Sequence, residues 1–496
     1  MSEQGAPQSR REARAPSPQG RARAAGPASA STRGIGGLIA KNPRAWLAGA
    51  IAVGFLILAT GALFAGAAVG SNASAGTPSP SNSAGSARPL PAELPVATRL
   101  RTCSVAALAA DPKLASFSGA VTNATTGELL FDRGAATGVP QGSALEVLTA
   151  SAALQILGPD AVLTTRVYDG SSDGTIVLVG GGDPTLSQLP AGAESVYTGA
   201  PKLEDLAEKV NDAFDAAHPG KDIKNIVLDS SMWSDADKWD PTWKRTAQTG
   251  GTQSEVTALQ VDGDRADPTK QVSPRSTDPV ARAGMLFAVA LGLDPDDITF
   301  SKASAITSKP VLGEVKSQPV STLVNQMLMN SDGTLAENLA RVVSKTLNLG
   351  GSAASLQQAI TNAIGIVGVS STGLVVHDGS GLSAATAIPP KFMADFLAKV
   401  QQGANNLNYV YNSLAVGGKS GSLAGRFTGA NPAKGGVVGK PGAGDGEQSL
   451  VGVIAAADGT QLGFAFYAIG AKDNAKAAID ALVTGAFACG DNLSNN

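Results

Sequence analysis

From Ala45 to Val69 the chain carries no charged residue, and the run AWLAGAIAVGFLILATGALFAGAAV separates everything before it from everything after it. At ~1.5 Å per residue the run is longer than the ~30 Å hydrocarbon core of a bilayer, so it is predicted to be a single membrane-spanning helix. Residues 1–44 hold Arg10, Arg11, Arg14, Arg21, Arg23, Arg33, Lys41 and Arg44 against Glu3 and Glu12. A Pro/Ala/Ser/Arg-rich stretch of this kind buries too little apolar surface to fold, so it reads as a disordered basic tail. Positive charge on that flank places the tail in the cytoplasm, and Trp46 suits the interface. The competing reading is a cleavable signal peptide, because Ala65-Gly66-Ala67 and Ala73-Ser74-Ala75 have the small-residue pattern of cleavage sites. The length of the basic leader favours a retained anchor. Residues 70–96 form a Ser/Gly/Pro/Ala linker. The expected location is the cell membrane, single-pass, with a folded C-terminal part starting near residue 97 outside the cytoplasm.

That location bears on the two cysteines. Cys103 opens the folded part and Cys489 almost closes it. In an oxidising compartment a bridge between the two ends is the simplest reading, ahead of two unpaired buried thiols. Lys and Arg total 38 and Asp and Glu 41, a net charge of −3 that gives no reason to expect a nucleic-acid partner.

Periodicity marks several elements. Phe117–Asn123 and Glu128–Asp132 alternate like a hairpin around Thr125-Thr126-Gly127. Ala144–Leu157, Leu203–Ala217, Pro279–Leu293, Val320–Met329 and Ala475–Phe487 have helical spacing. Thr175–Val179, Ile223–Leu228, Leu450–Ala456 and Gln461–Ala468 read as strands. N-terminal strands, then a helix, then a late C-terminal hairpin imply an α+β fold, an antiparallel sheet with helices on its faces. The interval between Pro159 and Pro279 has its own strands and helix. An inserted domain is therefore expected over 166–275, within a main domain of 97–165 and 276–496.

The segment carrying chemistry is Ser143-Ala144-Leu145-Glu146. It has the frame of S-x-x-K, in which a Ser near a helix start is activated by a Lys one turn on. Here Glu146 stands at the Lys position. The bland reading is a capping box, with Ser143 as N-cap and Glu146 three residues later.

Further along, Leu178-Val179-Gly180-Gly181-Gly182-Asp183-Pro184-Thr185-Leu186, Ser331-Asp332-Gly333-Thr334-Leu335-Ala336-Glu337-Asn338-Leu339, Asp378-Gly379-Ser380-Gly381-Leu382-Ser383, and Gly421-Ser422-Leu423 with Arg426-Phe427 follow in order. Together with the Ser143 helix they resemble the D-alanyl-D-alanine carboxypeptidase/endopeptidase family of penicillin-binding proteins (peptidase family S13). The resemblance spans roughly residues 97–489. It implies a transpeptidase/β-lactamase-like domain carrying an insertion, serine-type acyl transfer on peptidoglycan, and no metal or other cofactor.

On this resemblance Ser143 takes the nucleophile position, Glu146 replaces the Lys base, Ser331 is the relay serine of S-x-N, and Gly333 replaces its Asn. Lys440-Pro441-Gly442 takes the place of K-T-G, ahead of Lys419-Ser420-Gly421, because it directly precedes the Leu450–Ala456 strand. Lys440 is thus the retained cation, while Pro441, Gly442, Asp378, Gly379 and Ser380 are expected at the substrate. Pro441 removes both a hydroxyl and a backbone N–H from that strand. With all three elements altered, the expectation is a catalytically silent homologue that binds peptidoglycan stem peptides or an envelope protein. The alternative is a working carboxypeptidase that acylates Ser143 with an unusual base, Glu146, Lys419 or Lys440. Glu146 and Lys440 are expected to face each other across the site and pair.

Three other features have quieter readings. His218 and His377 lack metal-ligand spacing. Gly180–Gly182 reads as a tight strand exit rather than a phosphate loop. Trp233, Trp239 and Trp243 read as packing ahead of a carbohydrate platform.

Overall fold

The computed structural model describes residues 100–496, apart from 445, 473 and 496. The expected tail, membrane span and linker lie outside the described residues. Among the described residues no helix is long and apolar enough to cross a membrane.

In chain order, β1 (Ser116–Asn123) and β2 (Leu129–Arg133) form the expected hairpin, and a 3₁₀ turn over Gly142–Leu145 enters α1 (Glu146–Ile156). Next come β3 (Thr164–Asp169), β4 (Thr175–Val179), α2 (Leu203–Ala217), β5 (Asn225–Asp229), α3 (Pro279–Ala290), β6 (Thr299–Lys302) and β7 (Val311–Lys316). Helices α4 (Val320–Asn330), α5 (Gly333–Thr346), α6 (Leu356–Ile366), α7 (Pro390–Gln402) and α8 (Leu407–Asn412) follow. Strands β8 (Ala415–Val416), β9 (Val437–Ala443), β10 (Glu447–Ala455) and β11 (Gln461–Ile469) lead into α9 (Ala475–Cys489).

Strand order β2-β1-β11-β10-β9-β8 makes one antiparallel sheet. Its central strands are apolar on both faces because both faces are covered. Val451, Val453, Ala465 and Tyr467 pack with residues of α1 and of α4 to α8. Their neighbours Leu450, Ile454, Leu462, Phe464 and Phe466 turn to the other side, against Ile479, Leu482 and Val483 of α9. This is the two-residue alternation of a strand dividing one run between two cores.

A second sheet has the order β6-β5-β4-β3-β7, with β4, β5 and β6 parallel. Helix α2 lays Leu203, Leu206, Ala207, Val210 and Phe214 against it, and α3 adds Val280, Ala283 and Phe287. The boundary expected at 275 falls between β5 and β6 of this sheet. Its outer strands β6 and β7, and α3, come from residues 279–316. Nothing in composition changes at 275, and the sheet closes only when those later strands pair.

Cys103 and Cys489 are bonded, with their Cα atoms 5.4 Å apart across a sequence separation of 386. Beside the bridge, Cys103–Ser104 pairs in parallel with Leu493–Ser494. A cross-link of this span constrains the unfolded chain most strongly. Replacing both cysteines (Cys103→Ser with Cys489→Ser) is expected to lower stability by about 2–4 kcal/mol. Urea unfolding of the oxidised chain beside the variant checks this, and coincident midpoints would refute it.

Candidate active site

Ser143 is the second residue of the 3₁₀ turn and is partly exposed. The capping box expected of it does not form. Neither the turn nor α1 carries a side-chain cap, and the Ser143 hydroxyl makes no hydrogen bond among the described residues. The reason is local. The chain is already turning when it reaches α1, and Glu146 points into the interior instead of back at Ser143. Gly142 precedes it at φ 60°, pressed between two backbones. A Cβ there would lie 2.7 Å from the Ala443 carbonyl oxygen, and a Cβ on Gly381 would strike the Gly142 carbonyl. Ser449 Oγ also donates to the Gln141 carbonyl at 2.6 Å, tying the turn to β10.

Ser331 lies between α4 and α5 in the left-handed region, φ 56° and ψ 56°. Asp332 then caps α5 by accepting from the Leu335 N–H at 3.1 Å. Its other oxygen accepts from Arg265 Nη2 at 2.7 Å, and Arg265, itself fully buried, donates to the Tyr197 hydroxyl at 2.7 Å. Burial alone would raise the Asp332 carboxyl, but the charges of Arg265 and Arg275 overcome it and hold the group at about 2. Arg265 and Tyr197 thus position the α4–α5 junction. No motif in the sequence marked either one, because they reach it from more than sixty residues away in the chain.

Lys440 sits on β9, opposite Val451 of β10. Its Nζ donates to Ser331 Oγ at 2.7 Å and to the Pro441 carbonyl at 3.1 Å, and lies 3.3 Å from Glu146 Oε2. The Ser331 hydroxyl donates in turn to Glu146 Oε1 at 3.2 Å. Both charged side chains are fully buried. The expected pair therefore forms, with Ser331 as its third member. Burial raises the Glu146 carboxyl to about 7 against the pull of the Lys440 charge, and burial lowers the Lys440 amine against the Glu146 charge. Strand β8 pairs only with Val438 and Gly439, so among the described residues the stretch of β9 holding Pro441 is an unpaired edge, where a proline is tolerated. Lys419 lies beside Gly435 and takes no part in the pair.

Gly333 begins α5. A Cβ there would meet Gln253 Oε1 at 2.7 Å, so the buried Gln253 side chain fills the space that a residue with a side chain would need. Ser143, Thr252, Ser331, Gly333, Leu382 and Ala443 line a cleft of about 260 Å³. Asp378, Gly379 and Ser380, expected at the substrate, lie buried behind it. The Glu337 carboxylate accepts from the Gly379 and Ser380 N–H groups, and Asp378 accepts from Gly381, Ser383 and the Trp243 indole. These bonds fold the loop inward, so that Leu382 is the residue that reaches the cleft. Pro441 and Gly442 likewise back it, with Ala443 at the wall.

The tryptophans pack as expected: Trp233 and Trp243 are buried, and Trp239 meets Trp243 edge-on at 5.3 Å. His218 and His377 each contact an aspartate, Asp169 and Asp240, at 3.0 Å. Among the described residues no group of three His, Cys, Asp or Glu side chains is placed to hold a metal.

The model of the D-Ala-D-Ala carboxypeptidase 3 (S13) family matches residues 101–271 and 245–486. The chain is 33% identical to carboxypeptidase DacB of Mycolicibacterium smegmatis over 408 residues, 81% of this chain and 86% of that one. It is 24% identical to a D-alanyl-D-alanine carboxypeptidase of an Actinomadura species over 450 residues, 73% and 79% of the two chains. Among solved structures it shares its fold with penicillin-binding protein 4 of Haemophilus influenzae, at TM-score 0.62 and 17% identity, covering 75% of this chain and 95% of that one.

Two outcomes are expected of the buried pair. Glu146→Ala strands an unpaired Lys440 charge and should cost about 3–5 kcal/mol. Glu146 also has a folded pKa raised to about 7 from an ordinary 4.5. Its contribution to stability is therefore complete below the ordinary value and is lost as pH rises through about 7. Denaturant midpoints across that window should fall for the wild type relative to Glu146→Gln, and parallel pH profiles would refute the assignment.

Proposed function

Because the chain belongs to the D-Ala-D-Ala carboxypeptidase 3 (S13) family, we propose that it serves peptidoglycan metabolism as a catalytically impaired, membrane-anchored, extracytoplasmic member. It would bind stem peptides or an envelope protein as a binding or regulatory module instead of turning peptides over through Ser143. The observation that carries this reading is the state of the base position. Where the mechanism needs a free base beside the nucleophile, a carboxylate and an amine neutralise each other out of reach of solvent. The Ser143 hydroxyl is left without a hydrogen-bond partner among the described residues. Loss of a general base typically costs about 10²–10⁴-fold, and the parts of one catalytic unit do not add independently. The cleft itself remains, so a peptide terminus still has a place to sit.

The expected result is that an N-acylated L-Lys-D-Ala-D-Ala peptide binds without releasing D-alanine. Calorimetry run beside a D-alanine assay checks this. Release of D-alanine by the wild type, abolished in Ser143→Ala, would return the chain to the working carboxypeptidases.

A further inference from the structure

A second cleft, of about 400 Å³, opens between α7, the turn that joins β1 to β2 and the residues that follow α6. It shares no residue with the cleft of Ser143. Its volume falls in the range of ~300–1,000 Å³ common to small-molecule sites. Asp395 and Lys399 both line it, one turn apart on α7. Opposite charges at that spacing ordinarily pair along a helix. These two do not pair among the described residues. Asp395 Oδ2 accepts from Lys391, a turn earlier, and Asp395 Oδ1 accepts from no group among the described residues. Lys399 Nζ turns the other way and donates to Gln402 Oε1 at 3.4 Å. A carboxylate and an ammonium thus line one cleft without neutralising each other. The remaining wall is held in shape. Gln402 Nε2 donates to the Ala124 carbonyl at 3.4 Å, which ties the end of α7 to the turn. Asn123 Oδ1 accepts from the Thr125 and Thr126 N–H groups at 2.9 and 3.0 Å, which fixes the turn itself. Thr122 is buried beneath it, and its hydroxyl has no hydrogen-bond partner among the described residues, a polar atom that the fold leaves unsatisfied. Ala124, Ala398 and Val369 make the apolar part of the lining, and all three are small.

We propose that this cleft is a binding site for a short zwitterionic peptide of two small residues, with the ligand's ammonium at Asp395 and its terminal carboxylate at Lys399. Length argues for two residues. Side chains four apart on a helix start ~5–6 Å from each other. A dipeptide at ~3.3–3.6 Å per residue spans that interval, and a single amino acid falls short of it. The small apolar lining accepts methyl-sized side chains and excludes larger ones. Charge argues for a zwitterion. On binding, Lys399 exchanges a long bond to a neutral amide for a charge-assisted bond to a carboxylate, which is the stronger of the two. Asp395 keeps Lys391 on one oxygen and takes the ligand's ammonium on the other. The site stands on α7 and the β1–β2 turn, so it does not depend on the binding role of the Ser143 cleft.

The test is calorimetric titration of the full-length chain with alanyl-alanine, in the L,L and the D,D form. The expected result is saturable binding of at least one form, weakened at least about 10-fold in Asp395→Asn and in Lys399→Gln. Thermal unfolding establishes that both variants are folded. N-acetyl-alanyl-alanine, which lacks the ammonium, and alanyl-alaninamide, which lacks the carboxylate, are each expected to lose affinity by a similar factor. A saturating amount of the N-acylated L-Lys-D-Ala-D-Ala peptide is expected to leave dipeptide binding intact, because the two ligands use different clefts. No saturable binding at millimolar dipeptide, affinity unchanged in both variants, full affinity of the two blocked dipeptides, or competition by the longer peptide would each overturn the proposal. Failure of the longer peptide to bind the wild type would count against the role of the Ser143 cleft and leave the dipeptide titration to be read alone.

Discussion

One buried ion pair holds the centre of this molecule together. Glu146 leaves the first turn of α1 and Lys440 leaves β9, and they meet where neither touches water. Two isolated charges at such depth would each carry a desolvation penalty of several kcal/mol. Their contact, with Ser331 bonded to both, makes the junction of helix, strand and the α4–α5 turn tolerable as one unit. None of the three elements can shift without exposing or stranding a charge. The cleft in front of them inherits that rigidity.

The same pair sets the charges at two of the positions that the resemblance singles out. A lysine at 146 would place two amines where a carboxylate and an amine now sit. A side chain at 333 would collide with Gln253. Restoring either side chain therefore meets a neighbour already in place: Lys440 at 146 and Gln253 at 333.

Much of this was legible in the chain. Strands β10 and β11 and helix α9 announce themselves by periodicity, and the disulfide follows from cysteines at the two ends of the folded part. The approach of Glu146 to Lys440 follows from a charge reversal at one motif with the cation kept at another. Other features were not legible, for physical reasons. The second sheet passes residue 275 because strand pairing depends on register in space, which leaves no mark at the point where the chain is read. Ser331 is left-handed just before Asp332, and the Arg265 that bonds Asp332 lies 67 residues upstream of it. The role of Gln253 is invisible until Gly333 is seen beside it, since glycine there answers to space and not to backbone angle.

The bridge between Cys103 and Cys489 also determines how the molecule carries load. A pull on the chain where it enters the described structure at Leu100 arrives within three residues at a covalent bond to the end of α9. Tension passes into the C-terminal helix, and the inter-strand hydrogen bonds of β1, which begins at Ser116, lie off its path. With that one bond reduced, the same load would fall on the short pairing of Cys103–Ser104 with Leu493–Ser494 and on the packing of Val105 and Leu114 before it reached β1. The disulfide thus acts as a mechanical strain relief for the fold that holds the cleft.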